Sequence, residues 1–186
     1  MFILYSVLIG LALGLILGGR PAGLSAIQFR FAWLIALGFA IQMLLFSTPL
    51  TERVGALGAP LYVLSTGLVF IGLLANLRIR GLQIVAIGAA CNLIAIVANG
   101  GYMPASPAAL VAAGMLPTSG YSNSTVVADP ALAGLTDIYA LPPWLPFANV
   151  YSIGDILISL GIIAVFVVAM RDRTSDQQID GSLSPT

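Results

Sequence analysis

From its first residue the chain alternates long, uncharged apolar runs with short breaks made of Arg, Gly and Pro. Five runs stand out: residues 2–18, ending at Arg20-Pro21; 31–46, ending near Pro49; 60–77, stopping at Arg78; 82–98, stopping at Asn99-Gly100-Gly101; and 150–170, stopping at Arg171. A helix that crosses a bilayer core about 30 Å thick needs about 20 mostly apolar residues, and each run approaches that length. The pattern predicts an all-α membrane protein. Residues 1–170 form a bundle of five transmembrane helices, with a long external segment over 99–149 that contains a short helix, and residues 171–186 form a cytoplasmic tail.

The breaks also set an orientation, because short loops rich in Arg stay in the cytoplasm. Arg20 and Arg30 separate runs one and two, Arg78 and Arg80 separate three and four, and Arg171 and Arg173 follow five. Only Arg53, next to Glu52, falls on the other side. The N-terminus is therefore expected outside and the C-terminus in the cytoplasm. Run one is read as an uncleaved span, since it lacks a basic leader and Gly18-Gly19-Arg20-Pro21 is a poor cleavage site.

Composition sharpens this picture by exclusion. The 186 residues are 59% apolar and 8% charged, against roughly 25% charged in a soluble domain. Seven bases balance seven acids, so no basic surplus exists to bind nucleic acid. With no His and a single cysteine, Cys91, the chain offers no imidazole to a metal or haem and no intrachain disulfide. No nucleophile with its base, no paired carboxylates and no metal-ligand spacing is present, so neither an enzyme nor a cofactor is expected.

Helices in lipid associate through close backbone approach and polar contacts. Ser6, Gly10, Gly14 and Gly18 recur every four residues in run one, and Gly88, Asn92, Ala95 and Asn99 do so in run four. Both stripes suit helix packing, within this chain or against another subunit. In the external segment, Ser106-Pro107 followed by an alanine-rich stretch and Gly114 predicts the short helix, with Ser106 as its cap. Further on, Tyr139, Trp144, Phe147 and Tyr151 surround three prolines. Such aromatics settle at headgroup level, as an anchoring belt or as a ledge for an amphipathic ligand or partner helix.

Asp155 is the only acid or base inside the predicted spans. An ionisable residue there is a functional-site hypothesis by default. Gln42, Asn92, Asn99 and Asp155 all fall toward the outer half of the bilayer, with Arg53 in the loop above. Asp155 is expected to accept hydrogen bonds from Asn99, from the amides near Gly100-Gly101, or from Arg53; alternatively it meets a proton, cation or ligand headgroup. No second intramembrane carboxylate or base is available to pass a proton onward, which counts against a pump.

Two local motifs, Asn99-Gly100-Gly101-Tyr102-Met103-Pro104 after a span and Ile153-Gly154-Asp155 opening the last one, resemble a family of small bacterial inner-membrane proteins of unknown function, over nearly the whole chain up to about Arg171. The resemblance implies a multi-pass protein of the bacterial cytoplasmic membrane and brings no activity with it. The expected role is a non-catalytic accessory or scaffold subunit of a larger membrane complex, such as an energy-transducing one, with other membrane subunits as partners. The alternative is a small transporter or a lipid- or quinone-binding protein with Asp155 as its polar site.

Overall fold

The computed structural model describes residues 2–47, 54–115 and 125–172. Each apolar run is a helix. They are α1 (Phe2–Ile16), α2 (Ala32–Leu45), α3 (Gly58–Leu74), α4 (Leu82–Ala98) and, last in the chain, α6 (Ile153–Arg171), with a short α5 (Pro107–Ala112) between the last two. Two helical stretches, Gly55–Leu74 and Ile153–Arg171, are long and apolar enough to cross a membrane; Ile3–Ile16, Ala32–Leu45 and Leu82–Ala98 are shorter apolar helices.

The packing order differs from the chain order. α6 lies between α1 and α4, α3 packs against both α4 and α2, and α2 packs mainly on α3. The result is a curved row: α1, α6, α4, α3, α2. Small residues decide where backbones close. A β-carbon placed at Gly10 would meet Phe166 Cβ at 2.9 Å and Ile163 Cα at 3.2 Å, and one at Gly14 would overlap Met170. α1 and α6 therefore run parallel, joined through Gly10 and Gly14, and Ser6 is buried while Gly18 lies beyond α1 with open space around it. α4 and α6 run antiparallel: Gly88 faces Ile158, and Gly161 faces Val85.

The ends of the helices follow from local chemistry. α4 stops because Gly100 and Gly101 take positive φ, 69° and 91°, a conformation that costs a residue with a β-carbon about 1 to 2 kcal/mol. The Gly101 amide returns to Ile96 O at 2.8 Å. The turn between α2 and α3 lies partly outside the described residues, but the opposite ends of these helices are tied by Asn76. Its side-chain amide accepts from Arg30 N–H at 2.7 Å and donates to Arg30 O at 2.8 Å and Gly72 O at 2.7 Å. Arg20, Arg30, Arg78, Arg80 and Arg171 all sit at this same end of the bundle, because α1, α3 and α6 finish there and α2 and α4 begin there.

The segment after α4 forms a cap at the other end. Residues Met103 to Ser106 are extended between two strands of chain: Ala105 N–H donates to Thr125 O at 2.7 Å, and Asp137 N–H donates to Pro104 O at 2.9 Å. α5 begins at Pro107 as expected, but Ser106 makes no side-chain capping bond. Its N–H goes instead to Asp137 O at 3.0 Å. Ala105, Ala109, Leu110, Ala113 and Val150 form a small core under α5. A second cluster, Ala95, Ile96 and Met103 with Tyr62 and Leu135, joins the cap to α3 and α4.

Candidate functional site

The start of α6 is built by a reciprocal cap. Ser152 Oγ accepts from Asp155 N–H at 3.1 Å, and Asp155 Oδ2 accepts from Ser152 N–H at 3.0 Å. Two helix-end donors that would otherwise lack partners are thereby satisfied, and a negative group sits where the helix dipole favours one. Asp155 thus stands in the first turn of the helix, since α6 begins at Ile153 rather than at 150.

Asn92 of α4 completes the cluster. Its Nδ2 donates to Asp155 Oδ1 at 2.9 Å, and its Oδ1 accepts from Ser152 Oγ at 2.8 Å. The Ser152 hydroxyl has one proton and two candidate acceptors, Asn92 Oδ1 and, at 3.1 Å, Asp155 Oδ2. The shorter distance and the N–H already on Oδ2 assign that proton to Asn92. The bond is possible because residue 154 is glycine: any β-carbon there would overlap the Asn92 amide.

The expected partners of Asp155 are otherwise placed. Asn99 does not reach it; Asn99 Nδ2 donates to Ala131 O at 2.9 Å and its Oδ1 accepts from Ala131 N–H at 2.9 Å. Asn99 fastens the cap to the end of α4, whereas Asn92, about two turns nearer the centre, faces α6. Arg53 and Glu52 lie outside the described residues. Gln42 pairs across the α2–α3 hairpin, its Nε2 donating to Thr66 Oγ1 at 3.3 Å.

These polar groups share one space. A cavity of about 970 Å³ lies between α2, α3, α4 and α6, at the large end of the range for small-molecule pockets, about 300 to 1,000 Å³. Toward the cap it is lined by Gln42, Thr66, Asn92, Asp137, Tyr151 and Asp155; toward the arginine end by Ile35, Leu73, Leu82, Val85, Ile162 and Val165. Ile3 of α1 and Phe39 of α2 both border it, although those helices belong to opposite ends of the row. The cavity is the inside of the curve.

The aromatic stretch forms a hairpin beside this polar end. β1 (Tyr139–Ala140) and β2 (Val150–Tyr151) pair antiparallel with Tyr139 opposite Tyr151, and their rings stack at 5.5 Å. Between them, Trp144 and Phe147 are 78% and 57% exposed. Tyr5 Oη of α1 donates to Pro146 O at 2.5 Å, tying the hairpin to the first helix.

Three residues of the site are missed by the sequence reading: Ser152, Thr66 and Asp137. Ser152 carried a signal, since Ser-x-x-Asp before an apolar run is the spacing of the reciprocal cap. Asp137 reaches the cavity through an irregular segment with no periodicity to read.

Comparison with known sequences now adds a finding. The model of a family of unknown function, DUF5317, matches residues 26–167. The chain belongs to the DUF5317 family. The matched region contains both motifs on which the resemblance rests and all the polar residues of the cavity, and it begins after α1, short of the nearly complete coverage those motifs imply. No curated protein and no solved structure matches the chain.

Proposed function

We propose that this protein is a five-span protein of the bacterial inner membrane that binds one amphipathic molecule, such as a lipid or a quinone, in the cavity between α2 and α6. Membrane residence is supported by the outward faces: Leu8, Ile16, Trp33, Met43, Ile87 and Ile94, spread over α1, α2 and α4, are 51 to 77% exposed. A soluble monomer rarely shows contiguous apolar patches beyond a few hundred Å². The arginines at one end favour a cytoplasmic side there and an external side for the cap.

The observation that carries the binding role is the cavity's own polarity. One end offers Asn92, Asp155, Gln42 and Thr66; the other offers only aliphatic and aromatic groups. A molecule with a polar head and an apolar tail matches both ends in register. Because α2 packs on α3 but not substantially on α1 or α6, such a molecule enters sideways from the bilayer. The accessory-subunit reading finds less support, since Gly10, Gly14 and Gly88, which motivated it, are covered by α6.

The test is purification in mild detergent followed by solvent extraction and mass analysis. One amphiphile per protein is expected from the native chain, and loss of it from Ala89→Trp, which fills the cavity wall. A native protein that retains no amphiphile near one per chain refutes the role.

A further inference from the structure

We infer that the head group of the bound molecule donates hydrogen bonds and carries no negative charge. This rests on the cavity reading above and narrows its ligand. Asp155 is held by two neutral groups, Asn92 and Ser152, which occupy only part of its capacity. A carboxylate offers about four acceptor positions. The bonds from Asn92 Nδ2 and Ser152 N–H fill two of them, leaving acceptor positions on a residue that borders the cavity.

The charge of this end points the same way. The N-terminus of α6 supplies about half a positive unit, less than the full negative unit of Asp155, which already sits in its first turn and takes the Ser152 N–H. Among the described residues no Arg borders the cavity, and the five described arginines lie at the opposite end of α3, α4 and α6, about 25 Å away by helix length. A phosphate or sulfate head placed beside Asp155 would set like charges a few ångströms apart in a medium where they repel strongly. An amine or hydroxyl head makes charge-assisted bonds instead, which are among the stronger ones.

Three probes with the same saturated tail separate the possibilities: hexadecylamine, monopalmitoylglycerol and hexadecyl sulfate, titrated into delipidated protein in a neutral maltoside detergent and counted by native mass spectrometry. The amine and the glyceride are expected to bind at least about tenfold more tightly than the sulfate, the discrimination that one charge-assisted hydrogen bond provides. Asp155→Asn is expected to reduce amine binding by about tenfold while sparing the glyceride. Gln42→Lys, which leaves the α6 cap untouched, is expected to raise sulfate binding above amine binding and keeps the test available if Asp155→Asn fails to fold. Sulfate binding equal to or tighter than amine binding in the native chain overturns the head-group assignment and leaves the cavity role standing. Failure of all three probes to bind overturns both.

Discussion

The α4–α6 seam and the α2–α3 hairpin are built from similar helices and end in opposite states. At the seam, Gly88, Gly154 and Gly161 face one another's helices, and the backbones close until only Asn92 and Val85 fit between. The hairpin also closes on itself, through Gly38 against Ser65 and Gly72 against Ile35. What it lacks is a glycine packed against α6. The residues it contributes to the cavity lining include Phe39, Gln42 and Thr66. Placement of glycine, rather than overall hydrophobicity, separates the packed half of the molecule from the hollow one.

Three substitutions probe that contrast, using the single cysteine, Cys91 on α4, as a thiol reporter of thermal unfolding in detergent. Gly154→Val strikes the seam. Overpacking together with loss of the Asn92 bonds predicts destabilisation by about 3 kcal/mol or more, and a melting curve like that of the native chain would mean that the seam is not closed by glycine. Asn76→Ala strikes the hairpin's tie. Asn76 is 4% exposed and makes three hydrogen bonds to backbone, so a cost of about 2 kcal/mol is expected. Faster amide exchange should be confined to the start of α2 and the end of α3; equal acceleration in α4 and α6 would show that the two halves are not separable. Gly67→Ala serves as the smallest step. Nothing lies within 4 Å of a β-carbon there, so stability should be unchanged or rise by up to about 1 kcal/mol through helix propensity. A loss comparable to that of Asn76→Ala would point to a contact on the outer face of α3.

The helices were legible because charge is so costly in an apolar run that Arg, Gly and Pro mark almost every boundary. Leu82–Ala98 lies where the sequence places it, and α6 starts three residues later than its apolar run because Ser152 caps it. Asn92 and Asp155 were recognisable as polar residues at similar depth; their direct bond was not, because helix-to-helix register depends on which glycines meet. The cap was least legible. Its strands are two residues long, too short for alternation to show, and its parallel bridges join Pro104 to Thr125 and Ala105 to Asp137 across long separations. The cavity has no sequence signature, since it is a failure of side chains to meet.

The central position of α6 also bears on the order in which the molecule can be completed. The sixth helix touches both the first helix and the fourth, so during synthesis the glycine face of α1 waits without its partner while more than a hundred residues are added, and that of α4 while about fifty are. Until Ser152 and the residues after it arrive, the Asn92 amide has neither of its bonds and the cavity has no far wall. Chain growth from the N-terminus therefore assembles this protein from its edges inward, and the cavity is walled in only when α6 arrives.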